Sequence, residues 1–191
     1  MRSRAPLLQT LLKQLFGVFN RVLMVPLFRL GLGLFIGNPL TGYIMVLKTV
    51  GRKTGKLRYT PVNYAILNGQ IYCVAGFGQT SLWYRNLQAQ PRLELLMPGG
   101  AFSGVAETVS DPAEAVQALR QVLISAGFAG YFYGFNPRTV AEARLRELTD
   151  TALVIRIRPD GLGNGAGDAG GWLWLLVFVM SACLLLWLWR K

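Results

Sequence analysis

The chain has 191 residues, 52% of them hydrophobic, and carries 20 Lys and Arg against 9 Asp and Glu, a formal charge of +11. It has no histidine and only two cysteines, which excludes Ser-His-Asp and Cys-His nucleophilic centres, His-based metal sites and a structural zinc. With an apolar tail set aside, the remainder is the size of one ordinary domain.

The charge is uneven. Residues 1–71 hold ten cations (Arg2, Arg4, Lys13, Arg21, Arg29, Lys48, Arg52, Lys53, Lys56 and Arg58) and no acid, so an anionic partner would meet the front of the chain. Residues 6–23 set Leu8, Leu11, Leu12, Leu15, Phe16, Phe19, Val22 and Leu23 at helical spacing, with Gln9, Thr10, Lys13, Gln14, Asn20 and Arg21 opposite them. That pattern predicts a basic amphipathic helix whose apolar face either packs on the domain or lies in a lipid interface. The polar residues interrupt what a secretory signal would keep unbroken. Residues 22–37 are apolar, but Pro26, Arg29 and the glycines argue against a full span, so 1–40 reads as an interfacial or substrate-lining segment.

From residue 41 the texture changes to short runs rich in Val, Ile and Tyr. Strands are predicted over 43–50, 57–67 and 70–75, the last two joined by an Asn68-Gly69 hairpin turn. Ser81 reads as the N-cap of a helix ending before Pro91. Two strands, near 92–97 and 101–109, flank Pro98-Gly99-Gly100. Asp111-Pro112 opens a helix to about Ala126, followed by a Gly- and aromatic-rich loop, a helix over 138–148 and a last strand over 152–158. Six strands with two or three helices predict an antiparallel barrel or sheet of the α+β kind over 41–158.

Residues 159–171 have the composition of a flexible linker. Residues 172–189 carry no charge and have tryptophans at both ends, Trp172, Trp174, Trp187 and Trp189, followed by Arg190-Lys191. That predicts one C-terminal transmembrane helix, membrane lipid as a partner, and a barrel held at the cell membrane on its cytoplasmic side. Cys73 falls in a strand and Cys183 in the anchor, too far apart in setting to pair, and the usage suits a reducing compartment.

The densest polar signal is residues 51–58, Gly-Arg-Lys-Thr-Gly-Lys-Leu-Arg. A turn of four cations, one hydroxyl and two glycines can aim N–H groups and basic side chains at a phosphate, or simply be solvated. It is not a Walker loop: the glycine spacing is one short, Leu57 stands where the metal-binding hydroxyl belongs, and no helix follows. The second signal is Leu82-Trp83-Tyr84-Arg85-Asn86-Leu87.

These two segments, taken in order with Thr60-Pro61, the Asn68-Gly69 turn and Pro91, resemble the deazaflavin-dependent nitroreductase family, also described as deazaflavin-dependent quinone reductases. The resemblance runs from about Tyr43 to Val109 and more weakly to Arg158. It implies a split antiparallel β-barrel with flanking helices, related to the flavin-mononucleotide-binding barrels. It also implies the 8-hydroxy-5-deazaflavin coenzyme F-420 and hydride transfer to a quinone, nitroaromatic or other apolar acceptor. Carried across, it puts Arg52, Lys53 and Thr54 on the coenzyme phosphate with Arg58 nearby. Thr60, Pro61 and Asn63 would line the ring or ribityl side, with Val74 and Ala75 on the next strand. Leu82, Trp83, Tyr84, Asn86 and Leu87 would close the pocket, and Tyr131 and Tyr133 would stand at the acceptor. Where relatives have Ser-Lys after the third strand this chain has Gly76-Phe77, so a hydroxyl that would position the acceptor is missing. The other readings are the same barrel with flavin mononucleotide (FMN), and a non-enzymatic module holding anionic lipid. Nucleic acid is disfavoured, because the cations sit in an apolar context. The oligomeric state is left open.

Overall fold

The computed structural model describes Val18 and residues 20–39, 41–165 and 173–190; the predicted amphipathic helix over 6–23 lies mostly outside them. Six strands, β1 (Ile44–Val50), β2 (Leu57–Leu67), β3 (Gln70–Ala75), β4 (Arg92–Met97), β5 (Gly100–Thr108) and β6 (Leu153–Leu162), close into a barrel in the order β1-β2-β3-β6-β5-β4. Every neighbouring pair is antiparallel. Among the described residues, these α-helices accompany it: α1 (Val25–Arg29), α2 (Leu82–Ala89), α3 (Pro112–Ser125), α4 (Glu142–Thr149) and α5 (Leu173–Trp189).

Cross-strand alternation sorts the side chains. Met45, Leu47, Ile71, Cys73, Leu93, Leu95, Ile155 and Ile157 fill the interior, and Tyr84 and Leu87 of α2 pack into the same cluster. On one outer face Ala65, Tyr72 and Val154 are covered by Val116, Leu119, Val122 and Leu123 of α3 and by Leu145 of α4. On another, Met24, Val25 and Phe28 cover Ile44, Val46 and Leu96. β1 is therefore buried on both faces, which is why it reads as a continuous apolar run rather than an alternating one. Met24, Val25 and Phe28 lie just beyond the predicted amphipathic face; of that face the structure describes only Val22 and Leu23, and both are exposed, as are Val18, Leu34 and Phe35.

Three expectations are corrected. β6 continues to Leu162, four residues into the predicted linker, pairing Gly161 with Ser103 and Leu162 with Phe102. The glycines there serve close approach rather than flexibility: a Cβ on Gly163 would lie 3.0 Å from the Phe102 backbone. The seam ends in a clamp in which Lys48 Nζ donates to Gly165 O (3.0 Å) and to Glu94 Oε2 (3.1 Å), and Asn164 N donates to the same carboxylate (3.1 Å). Second, Ser81 makes no capping hydrogen bond to α2, and the aromatic loop is a 3-10 turn over Gly127–Tyr133. Third, among the described residues no helix is long and apolar enough to cross a membrane. The apolar terminal helix α5 has 17 residues, about 26 Å at ~1.5 Å per residue against a hydrocarbon core of about 30 Å. Trp172, with which the predicted anchor begins, lies outside the described residues. No α5 side chain whose setting is described is buried.

Candidate coenzyme and acceptor site

Between β1 and β2, residues 51–56 fold into a tight turn. Gly51 N donates to Lys56 O (2.9 Å), and Thr54 N and Gly55 N both return to Gly51 O (3.1 and 2.8 Å). Gly55 supplies the positive φ of 66° that the turn needs. Thr54 Oγ1 and Arg58 Nε would lie 3.0 and 3.4 Å from a Cβ on Gly51, so a hydroxyl and a guanidinium converge over a residue that must lack a side chain. Arg52, Lys53, Thr54, Lys56 and Arg58 are all exposed. No ion pair among the described residues neutralises these four cations. A concentrated uncompensated positive field at a turn with free side chains is an anion site in waiting.

The turn is braced from α2. Asn86, only 7% exposed, accepts through Oδ1 from Arg52 N (3.2 Å) and Arg52 Nη1 (3.4 Å). This joins the two sequence segments physically: the helix motif fixes the conformation of the cationic one. Its neighbours divide differently from expectation. Tyr84 and Leu87 belong to the barrel interior, where the Tyr84 hydroxyl meets Thr108 Oγ1 (3.2 Å) and Gln88 Nε2 (3.1 Å). Leu82 is exposed, and Trp83 is half-buried at the edge of the interior cluster.

β2 leads away from the turn. Pro61 pairs with Val46 and Asn63 with Ile44, placing both on the outer face, whereas Thr60 pairs with Leu47 and takes the interior side. The predicted ring-lining trio is thus split by the pleat. Pro61 and Asn63 belong to neither outer apolar cluster, since the N-terminal cover takes Tyr59 and the α3 cover takes Ala65. They form a half-buried floor between the two covers, with Asn63 Nδ2 donating to Tyr43 O (3.3 Å). Val74 and Ala75 divide likewise, Val74 under α3 and Ala75 in the interior.

The 3-10 turn reaches the end of β3. The Tyr133 hydroxyl lies 3.3 Å from where a Cβ on Gly76 would be, so it occupies the space beside the residue at which the expected hydroxyl is missing. Burial pushes the Tyr133 phenol above its ordinary pKa of 10.0. Tyr131, two residues earlier, faces a different feature, a cleft of about 350 Å³ that no sequence signal marked.

Residues 28–139 match the F420H(2)-dependent quinone reductase family, and the chain belongs to it. The coenzyme this implies is the deazaflavin F-420 read from the two sequence segments. Among solved structures, an F420-H2 dependent reductase is 21% identical, covering 61% of this chain and 93% of its own, with a TM-score of 0.42. An F420 reductase is 17% identical over 66% of this chain and 90% of its own, at a TM-score of 0.42. A conserved hypothetical protein from Mycobacterium tuberculosis is 20% identical over 63% and 78%, at a TM-score of 0.45.

Proposed function

We propose that the chain passes a hydride from reduced F-420 to a lipid-soluble quinone at a membrane surface. The observation that carries this is the Asn86-braced turn of exposed cations, which no ion pair among the described residues neutralises, in a chain of the F420H(2)-dependent quinone reductase family. Such a turn suits the anionic chain of the coenzyme. The residues present suit the group: Arg52, Lys53 and Arg58 would neutralise its phosphate and Thr54 would donate to it. In this reading Pro61 and Asn63 would support the ring side, with Leu82 and Trp83 closing the pocket.

F-420 supplies the hydride when bound; this chain binds, orients and excludes water. Reducing a quinone to a hydroquinone takes that hydride and a proton. In this reading Tyr133 Oη, beside Gly76, would hold that proton at the acceptor, and the upward push of desolvation on its pKa extends the protonated form further into the alkaline range. An exposed, uncharged and largely apolar α5 and an acid-free cationic front support a lipid setting.

The test is a fluorescence titration of the detergent-solubilised protein with F-420, with FMN as a parallel ligand, followed by quinone-dependent reoxidation of the reduced complex. Arg52→Ala with Lys53→Ala is expected to weaken F-420 binding about 10- to 100-fold, the scale of one or two charge-assisted contacts, and to leave vesicle binding intact. Preference for FMN would replace the coenzyme in this reading. Lost vesicle binding with no F-420 affinity to lose would replace the enzyme with a lipid-binding module.

A further inference from the structure

A glycine is needed where φ is positive or where the backbone runs too close to something for a Cβ to fit. Gly78 meets both conditions: its φ is 53°, and a Cβ there would lie 2.6 Å from Thr151 O. Gly76, just past the end of β3, meets neither. Its φ is outside the left-handed region, and no backbone atom crowds it. Among the described residues a Cβ at 76 would have one neighbour within 4 Å, the Tyr133 hydroxyl at 3.3 Å. What the missing side chain leaves clear is therefore that hydroxyl. The hydroxyl is itself held in place. Gly130 packs so closely on α3 that a Cβ there would overlap Leu123 O, Gly134 N donates to Tyr131 O (3.0 Å), and Arg120 ties down Pro137 O (3.3 Å) and Val140 O (2.9 Å). The Tyr133 ring lies against Phe135, 6.1 Å between centroids.

Although fixed, the phenol is not used by the chain. It makes no hydrogen bond among the described residues, and desolvation alone perturbs it. A positioned, partly desolvated O–H that nothing in the chain accepts takes its acceptor from a ligand. An sp² oxygen receives such a bond near the plane of its carbonyl, about 2.5–3.0 Å from the donor, and brings the edge of its ring with it. A methyl group at residue 76 would stand in that approach. We infer that Gly76 is a positioning residue of the acceptor site, its bare backbone keeping open the slot in which a ring carbonyl accepts from the Tyr133 hydroxyl. This rests on the reductase reading above and deepens it. The slot has two walls, and a hydroxyl carried on residue 76 would reach it from the strand side. It has room for a hydroxyl from either wall but not from both.

The experiment is a double-mutant cycle in the full chain, with F-420 saturating and a water-soluble naphthoquinone as acceptor. Gly76→Ala is expected to lower kcat about tenfold, the scale of a small misplacement at a reacting group. In a Tyr133→Phe background the same substitution should change kcat by less than about twofold, because the group it obstructs is already gone. Gly76→Ser combined with Tyr133→Phe moves the hydroxyl to the other wall. It should recover about tenfold over Tyr133→Phe alone and lose the alkaline decline of the rate, since a serine hydroxyl does not titrate there. A second readout needs no turnover. 1-Tetralone, a ring ketone that is not a quinone, should raise the pKa of one tyrosine by accepting from its neutral form. Tyrosinate absorbance would show that shift in the wild type and lose it in both Gly76→Ala and Tyr133→Phe. This tetralone pattern with no quinone reduced would support the slot while removing the reductase reading. Independent, multiplicative effects of the two substitutions would overturn the inference, as would a tetralone shift that is absent from the wild type or persists in Gly76→Ala. A loss of F-420 affinity in Gly76→Ala would also overturn it, by making the glycine part of the coenzyme's site.

Discussion

Asn86 shows how a buried amide can govern a site it does not line. Its Oδ1 takes two donors from Arg52, so Asn86→Leu strands a backbone N–H at a cost of about 1–3 kcal/mol and frees the turn. The expected result is F-420 binding about tenfold weaker by titration, with the barrel still folded by circular dichroism. Asn86→Asp keeps the acceptor but adds a charge against Arg52, and should weaken binding more at low salt than at high. Tyr133→Phe removes the hydroxyl that stands beside Gly76. If that hydroxyl delivers the proton, kcat should fall about 100-fold. The wild-type rate should hold to pH 10 and decline above it, because the phenol's pKa is raised. Cys73 reports on the interior. Burial pushes its thiol up to about 12, so maleimide at pH 8 should label Cys183, which is exposed, and spare Cys73 in the folded protein. The folded thiol holds its proton where the unfolded one has lost it. This stabilisation is complete below about pH 9 and lost as pH rises towards 12, at about 1.4 kcal/mol per unit. Cys73→Ala should flatten that alkaline slope in denaturant melts.

Among the elements, those with a strong local cause were legible. β2 and β3 were marked by the Asn68-Gly69 turn, whose residues both take positive φ, 50° and 75°. α3 was marked by Asp111, whose carboxylate does accept from Glu114 N (2.9 Å), with Pro112 at the first helical position. Asp111→Ala should lower stability by about 1 kcal/mol in a urea melt. α3 is held to the barrel by more than its apolar face. Glu114 takes Arg156 Nη1 at 2.7 Å and the Tyr72 hydroxyl at 2.8 Å. What was not legible depended on long-range pairing. The extension of β6 through Pro159 to Leu162 carries every local mark of a linker and becomes a strand because β5 is there to pair it. The pleat likewise divides Thr60 from Pro61 and Val74 from Ala75, because a motif read along the chain carries no record of which face each residue takes. The cleft is assembled from residues near 39, 124 and 137 and has no contiguous signature at all.

For the whole molecule, the seam at Gly165 decides where the tail can be cut. Removing residues 166–191 leaves the Lys48 clamp and the Arg92–Asp160 pair in place. It is expected to give a barrel of unchanged melting temperature that reduces soluble quinones at the full rate and loses its advantage on vesicles. Equal rates on vesicles before and after the cut would dissociate the apolar tail from the acceptor. Removing residues 159–191 takes β6 pairing and the clamp with it, and should cost about 2 kcal/mol or more.

Lys48 and Glu94, which grip Gly165 and Asn164, stand two residues along β1 and β4, and so on the same face, from Val46 and Leu96, which seat Met24 and Phe28. The polypeptide thus enters and leaves its barrel over one shared face. Topologically the barrel is a ring with its opening there, and the opening can be moved. A circular permutant that joins residue 165 to residue 20 through a short glycine-serine bridge, with new termini cut at the exposed Asn68-Gly69 turn, keeps all six pairings and the coenzyme turn. Its new ends would then lie at the β2–β3 turn.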